Sequence, residues 1–210
     1  MIPKWVSGDL ADLGCGKAPL LGAYGPRCRS VTLADWSNSA HDNPYLDLLV
    51  DLNEPLSSLQ TSSFDVVLLS DVLEHIREPG LLMAEISRIL KPGGRLLLNV
   101  PFIYWIHEAP HDYYRYTSFA LERFVNNSGL EVVELVPLGG WVEVMGDLWS
   151  KFFAFAGLKW MAAAIHHAVA AFGNTFVGRR LTNRSGKVLP LGYGLVARKP
   201  MVNIPGAQVT

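Results

Sequence analysis

Short apolar runs alternate with segments of helical spacing along most of the chain. Strands are predicted at 8–13, 29–34, 64–70 and 95–100, and the run at 64–70 is nearly continuous, as in a central parallel strand buried on both faces. Between the last two of these strands, Leu82, Ile86 and Ile89 recur at helical spacing after Pro79. Lys91-Pro92-Gly93-Gly94 ends that helix. This alternation predicts an α/β fold, in which right-handed crossovers give a doubly wound parallel sheet.

The remaining elements follow from weaker signals. A short helix is expected at 18–24, a third strand within 45–52, and a polar, aromatic loop at 102–116. Thr117 or Ser118 is expected to cap the next helix, with Gly129 past its end. Further strands are predicted at 131–136 and 192–198, and no helix is expected before the first strand. The apolar stretch from about Trp141 to Gly178 is predicted to be helical.

Length and composition narrow the functional class. The 210 residues suit one domain, 1–210, with a full core. A net charge of −1 provides no electrostatic basis for a nucleic-acid partner. Cys15 and Cys28 lack metal-ligand spacing, so no metal site is predicted and a reducing cytoplasm is expected. The N-terminus carries no apolar run of signal-peptide length.

Acidic residues follow the predicted strands, where a doubly wound fold binds its ligand. Asp12, Asp35, Asp51 and Asp71 end or follow four successive strands. After the first strand, Gly14-Cys15-Gly16 permits a sharp turn that lets a ligand approach the backbone. Together these features predict a site for a nucleotide-type cofactor.

A dinucleotide cofactor is the first alternative. Asp35 lies about 20 positions after the glycine turn, as the ribose-binding acid of that motif does. However, Ala18-Pro19 replaces the third glycine, which normally allows close packing of helix on strand. A nicotinamide-dependent oxidoreductase is therefore kept only as an alternative.

The ordered motifs resemble those of class I S-adenosylmethionine-dependent methyltransferases of the small bacterial methyltransferase-domain type. The resemblance covers roughly residues 8–136, and the last strand extends it. The motifs are Asp12-Leu13-Gly14-Cys15-Gly16, Asp35-Trp36, Asp51-Leu52, Phe64 to Val67, Asp71-Val72-Leu73-Glu74-His75 and Leu90 to Leu96. It implies a Rossmann-like seven-stranded sheet, mostly parallel with the last strand antiparallel, and a helical insertion before that strand.

The resemblance also implies roles for these residues in holding S-adenosylmethionine. Asp12 would lie near its amino group, Asp35 on the ribose, and Asp51 near the adenine amine. The Ser70 carbonyl would face the methionyl amino group. The full set of implied cofactor residues is Asp12, Gly14, Cys15, Gly16, Asp35, Trp36, Asp51, Leu52, Ser70 and Asp71.

The loop after the fifth strand is predicted to hold the methyl acceptor, because it is dense in Tyr, Trp, His and Arg. The candidate bases are His111, His107, Asp112 and His75. The candidate acceptor contacts are Tyr104, Trp105, Tyr113, Arg115 and Tyr116. His75 has an alternative packing role, and Arg115 could instead pair with Asp112.

One motif in this loop is misleading. Residues His107-Glu108-Ala109-Pro110-His111 match the zinc-protease pattern H-E-x-x-H, which requires a helix. Pro110 removes a helical hydrogen bond and biases Ala109 toward extended geometry. Zinc hydrolysis is therefore not expected.

The apolar insertion at 141–190 has three open interpretations. Residues 160–178 contain no Asp, Glu, Lys or Arg, but His166, His167 and Gly173 argue against a bilayer span. The segment is a helical lid, a homodimer surface, or an interfacial surface for peripheral membrane contact. The cations Arg179, Arg180, Arg184 and Lys187 follow it.

The function expected from all of this is methyl transfer to a small-molecule or lipid- or glycan-linked acceptor, by O- or N-methylation. Because the displacement is direct, the enzyme mainly aligns donor and acceptor. A non-catalytic module that binds the cofactor or acts through its apolar helices is the other alternative.

Overall fold

A computed structural model describes residues 1–37 and 43–201. The chain divides into two compact units. The first comprises the described residues of 1–100 together with 108–135 and 195–201. The second comprises residues 101–107 and 136–194.

Seven strands form one sheet in the order β3-β2-β1-β4-β5-β7-β6. Their bounds are β1 Gly8–Leu13, β2 Cys28–Asp35, β3 Leu48–Leu49, β4 Phe64–Ser70, β5 Leu90–Pro101, β6 Glu131–Leu138 and β7 Gly192–Arg198. The pairs β1–β2, β1–β4, β2–β3 and β4–β5 are parallel. The start of β5 lies beside the end of β7, because the N–H of Gly93 donates to the Lys199 carbonyl at 2.9 Å. The predicted mostly parallel sheet with an antiparallel last strand is confirmed.

The helices are α1 Ile2–Trp5, α2 Leu21–Tyr24, α3 Pro79–Ile89, α4 Ser118–Asn127, α5 Trp141–Phe155, α6 Lys159–Gly173 and α7 Phe176–Ser185. Short 3₁₀ turns occupy Gly25–Arg27 and Leu73–His75. The expectation that no helix precedes β1 is wrong, since Pro3 occupies the first turn of α1. Thr117 caps α4 by accepting the Ala120 N–H. β3 ends earlier than expected, before Asp51 turns the chain by accepting the Asn53 N–H.

The core of the first unit brings the central strands together. Leu10, Leu33, Val66, Leu97 and Val196, one from each of five strands, belong to one buried cluster. Because the strands between β3 and β5 are parallel, their C-terminal ends meet at one edge of the sheet. The candidate site lies at that edge.

In the second unit, three helices replace the single apolar region predicted from the sequence. Gly157, at φ +80°, follows the end of α5, and Thr175 caps α7. Gly146 of α5 packs so closely on α6 that a Cβ there would lie 2.4 Å from Val169 Cγ2. Glu143 joins α5 to α7, because it accepts the Thr182 hydroxyl at 2.6 Å. Within the described ranges, each helix falls short of the length and apolarity that crossing a bilayer requires.

Candidate active site

A cavity of about 660 Å³ lies at the C-terminal ends of β1, β2 and β4, within the first unit. Its size is ordinary for a small-molecule or cofactor site. Every residue assigned to the cofactor in the sequence analysis lines it. Its wall consists of Asp12, Gly14, Cys15, Gly16, Lys17, Pro19, Leu20, Asp35, Trp36, Asp51, Leu52, Asn53, Ser70, Asp71, Val72, His75, Ile76, Glu108, Ala109, Pro110 and His111.

The glycine turn after β1 forms one side of this cavity. Gly14 has φ +69°, a conformation that side chains with a Cβ rarely adopt. A Cβ at Gly14 would also lie 2.6 Å from Val72 Cγ2. The N–H groups of Gly14 and Cys15 both donate to the Ala34 carbonyl, at 2.8 and 3.2 Å. The turn is therefore pinned to the end of β2, and glycine is needed at position 14 for two separate reasons.

Asp35 is held rigidly where β2 ends. Its side chain accepts the Gly16 N–H at 3.1 Å through Oδ2 and the Trp36 N–H at 2.9 Å through Oδ1. A carboxylate offers about four acceptor positions, so two backbone donors leave capacity for a ligand's hydroxyl groups. Asp35 thus connects the glycine turn with the neighbouring strand and presents acceptors to the cavity.

Asp12 lies deeper, at 4% exposure, and accepts the Tyr24 hydroxyl at 2.5 Å. Burial raises the pKa of Asp12 to about 6; the Tyr24 hydrogen bond lowers it, and the charge of Asp35 raises it. Tyr24 carries no signal of this role in the sequence, because only the fold brings α2 and β1 close enough for the two side chains to meet. Asp12 is mostly ionised at neutral pH, but its charge is easily lost in mild acid.

On the far side of the cavity, Asp51 is fixed by its neighbour. Its Oδ1 accepts both the Asn53 N–H at 2.9 Å and the Asn53 side-chain amide at 3.0 Å. Asn53 in turn accepts the Arg77 N–H at 2.9 Å. Asn53 was not predicted, although its position two residues after Asp51 is typical of a side chain that closes a turn.

Cys15, which also lines the cavity, is a poor nucleophile, since burial raises the pKa of its thiol to about 11.

The chain is similar to known proteins over the segment that contains these motifs. The family model described as "Methyltransferase domain" matches residues 11–98. The Ubiquinone biosynthesis O-methyltransferase of Xanthomonas oryzae pv. oryzae (strain PXO99A) is 31% identical over 97 residues, covering 42% of this chain and 41% of that protein. The Thiol S-methyltransferase TMT1B of Rattus norvegicus is 32% identical over 109 residues, covering 47% and 42% respectively. This chain thus spans about two fifths of the length of these curated relatives.

A solved SAM-dependent methyltransferase from Archaeoglobus fulgidus superposes with a TM-score of 0.59, at 14% identity, and covers 92% of this chain and 86% of that one. At such low identity the likeness concerns the fold alone. The motif match and the fold agree. Residues 11–98 thus match a methyltransferase domain, as the sequence motifs predict, and the fold is that of solved SAM-dependent methyltransferases. S-Adenosylmethionine is the cofactor that these motifs imply.

The cavity fits this cofactor chemically. Besides its one carboxylate, S-adenosylmethionine carries a sulfonium, an ammonium, a ribose diol and an adenine amine, which are cationic or hydrogen-bond donors. The wall presents carboxylates to such groups through Asp12, Asp35, Asp51 and Asp71. A dinucleotide would instead place a doubly charged pyrophosphate against the same carboxylates. The electrostatics of the site therefore favour the methyltransferase cofactor over the nicotinamide alternative.

Two of the four predicted bases line the cavity. The His75 ring donates from Nδ1 to the His111 carbonyl, at 2.8 Å, which favours its other nitrogen as an acceptor. The His111 ring contacts the Trp36 ring edge to face, with 5.2 Å between the ring centres, and its Nδ1 lies 3.1 Å from the Tyr113 hydroxyl.

The zinc-protease pattern at residues 107–111 does not lie on a helix. These residues form no helix, and Glu108 has φ +49°, so the two histidines do not share a helical face.

The other loop residues have different surroundings. Asp112 and Arg115 form a bidentate ion pair, in which the Asp112 side chain is only 2% exposed. Tyr116 is buried and donates to the Leu73 carbonyl at 2.9 Å. The main-chain N–H groups of Tyr113 and Tyr114 donate to the Glu74 carbonyl. Among the residues that the structure describes, Asp112, Tyr113, Arg115 and Tyr116 are not part of the cavity wall. Their predicted catalytic or acceptor roles stay predictions.

Tyr104, Trp105 and His107 belong to the second unit. His107 Nδ1 lies 3.2 Å from the Trp105 carbonyl. Tyr104 and Trp105 line an apolar groove of that unit together with α5, where the Lys151 ammonium lies 3.7 Å from the centre of the Tyr104 ring. Their predicted roles toward an acceptor also stay predictions.

If Asp12 holds the ammonium group of S-adenosylmethionine, as the resemblance implies, cofactor affinity should depend on pH. Its folded-state pKa is raised to about 6, so the carboxyl group is neutral below that value and charged above it. Only the charged form attracts the ammonium group of the cofactor. We expect the affinity for S-adenosylmethionine to rise between about pH 5 and 7, by up to roughly tenfold per pH unit. Calorimetric titrations across this range measure the effect. In Asp12→Asn the affinity should be weaker and nearly independent of pH, and a profile as steep as in the wild type would refute the assignment.

Proposed function

We propose that this protein transfers the methyl group of S-adenosylmethionine to a small-molecule or lipid- or glycan-linked acceptor, at a hydroxyl or amine. The observation that carries the proposal is the convergence of Asp12, Asp35, Asp51 and Asp71 on one cavity beside a glycine turn. These are acids from the ends of separate strands, and they match the donor groups of this cofactor.

In this proposal the residues of the chain bind and orient the cofactor. Asp35 holds the ribose hydroxyls, Asp12 the ammonium, and Asp51 the adenine amine. When bound, the cofactor supplies an electrophilic methyl group on a sulfonium. Its displacement needs alignment of the acceptor rather than a covalent enzyme nucleophile.

His111 is the proposed general base. It lies in the cavity wall against Trp36, which occupies the position after the ribose-binding acid. A neutral imidazole there would accept the proton that a hydroxyl or amine loses on methylation. The names of the relatives include methylation of oxygen and of sulfur, so the choice of acceptor atom varies among similar proteins.

The proposal is tested by calorimetric titration with S-adenosylmethionine, S-adenosylhomocysteine and NADH. Binding of the two adenosyl compounds, without measurable binding of NADH, is the expected result. Binding of NADH alone would replace the proposal by the oxidoreductase alternative. Failure of all three to bind would favour a module that acts through its helices without catalysis.

A further inference from the structure

Helix α6 is apolar yet largely uncovered. It consists of Lys159–Gly173, and none of its residues is buried. Trp160 is 71% exposed, and Ala163, Ala164, His167 and Ala171 continue the exposed side at helical spacing. The side of α6 that contains Val169 packs on α5, so the side that contains Trp160 is a second, uncovered face of an apolar helix.

Large exposed side chains also flank α6 along the chain at both of its ends. Phe155 precedes it and is 92% exposed, while Phe176 and Val177 follow it at 73% and 57% exposure. We refer to Phe155, Trp160, the exposed alanines of α6, Phe176 and Val177 as the α6 surface. All of its members belong to the second unit.

The charged residues of α6 and α7 themselves have one sign, while the acids of the neighbouring α5 are engaged within the unit, Glu143 by the Thr182 hydroxyl and Asp147 by Lys151. Between Leu148 and Pro200 the sequence contains no Asp or Glu, although the whole chain has a net charge of −1. Arg179, Arg180 and Arg184 lie on α7, directly after Phe176 and Val177, and are exposed. The partner that covers the α6 surface must therefore accept apolar groups beside a cluster of cations.

We propose that the α6 surface docks on an anionic lipid bilayer, with α6 lying in the plane of the interface. Trp160, Phe155 and Phe176 would enter the boundary between headgroups and acyl chains, where such side chains are favoured. Arg179, Arg180 and Arg184 would meet the anionic headgroups. With 15 residues, α6 suits a helix that lies on a membrane rather than one that spans it.

A second copy of this chain is a poorer occupant. A symmetric dimer through the α6 surface would place the same patch of each copy against the other. Its arginines would then lie near those of the partner, with no acid between Leu148 and Pro200 to neutralise them. An anionic bilayer removes that repulsion. The inference does not depend on methyl transfer, and cofactor binding serves as an independent control.

The test is co-sedimentation of the full chain with vesicles of phosphatidylcholine alone or mixed with phosphatidylglycerol, at low and high salt. One variant combines Phe155→Ser with Trp160→Ser, and another combines Arg179→Gln, Arg180→Gln and Arg184→Gln. The matched controls are Phe119→Ser and Arg123→Gln, because both residues are exposed on α4 in the first unit. Thermal unfolding and S-adenosylmethionine binding verify that each variant is folded.

We expect binding to the mixed vesicles that weakens at high salt and falls at least about tenfold in each combined variant. The α4 controls should bind as the wild type does. Absence of binding to mixed vesicles, equal binding to neutral ones, or equal losses in the α4 controls would overturn the proposal. It would also be overturned by a dimer in analytical ultracentrifugation that dissociates in the Phe155→Ser, Trp160→Ser variant, since the second copy would then be the occupant.

Discussion

Replacing Asp35 by alanine is expected to weaken the binding of S-adenosylmethionine about 100-fold, because a charged acceptor for two ribose hydroxyls is lost. Charge-assisted hydrogen bonds contribute about 1.5–3 kcal/mol each, and part of that loss is recovered by water. Isothermal titration calorimetry measures the change. The same substitution also removes the acceptor for the Gly16 and Trp36 N–H groups, so the free energy of unfolding should fall by about 1–3 kcal/mol.

Asp47 provides a matched control for this prediction. Its Oδ2 accepts the Leu33 N–H of the same strand at 2.8 Å, but Asp47 is not part of the cavity wall described here. Asp47→Ala should lower stability and leave the affinity nearly unchanged. The Asp35→Asn variant keeps a neutral acceptor and should lose less affinity than Asp35→Ala. An affinity in folded Asp35→Ala equal to that of the wild type would remove Asp35 from the ribose site.

The second large effect is expected at Gly14. In Gly14→Ala the new Cβ would lie 2.6 Å from Val72 Cγ2, on a backbone with φ +69°. The positive φ costs about 1–2 kcal/mol in a residue with a Cβ, and overpacking adds about 1–3 kcal/mol. Relief of that strain requires the turn or the Val72 side chain to shift, and both line the cavity. We expect the melting temperature to fall and the affinity for S-adenosylmethionine to drop by more than about 30-fold, since the turn forms one side of the site.

Two further variants separate the effect of the positive φ at position 14 from the effect of the close contact with Val72. Gly129 has φ +73°, but a Cβ there would find no atom within 4 Å. Gly129→Ala therefore reports the cost of the positive φ alone, far from the cavity wall. Adding Val72→Ala to Gly14→Ala removes the contacting methyl groups and should restore part of the affinity. If Gly14→Ala bound the cofactor as tightly as Gly129→Ala does, the close approach at Gly14 would have no role in binding.

Local pattern was sufficient to predict most of the first unit. The bounds predicted for β1, β4 and β7 agree with the structure because each is a short segment rich in apolar residues whose ends are marked by turn-forming or polar residues. The predicted start of β5 was later than the observed Leu90, since Pro92 and Gly93 signal a turn in sequence. In the structure, the pairing of Gly93 with Lys199 draws this stretch into the strand. That contact joins residues over 100 positions apart, which local pattern does not reveal.

The loop after β5 shows the same limit at the site. The composition of this loop predicted a binding role for all of its residues, but in the structure only some of them line the cavity. Glu108 to His111 line the cavity, whereas Asp112 pairs with Arg115 and Tyr116 is buried against the carbonyl of Leu73. The hydrogen-bonding groups of a tyrosine or an arginine are equally suited to binding a ligand and to stabilising a loop. Which of the two occurs depends on the backbone atoms that the fold brings within reach.

The sequence by itself determined the fold class, the match to a methyltransferase domain and the set of acids at the strand ends, because parallel strands place their C-terminal ends at one edge. Only the tertiary structure decided that Tyr24 donates to Asp12, that Val72 closes on Gly14, and that α6 lies uncovered. These are contacts, or missing contacts, between elements distant in sequence. They depend on how each element packs, and a pattern of apolar and polar positions specifies which side of an element is buried without specifying what buries it.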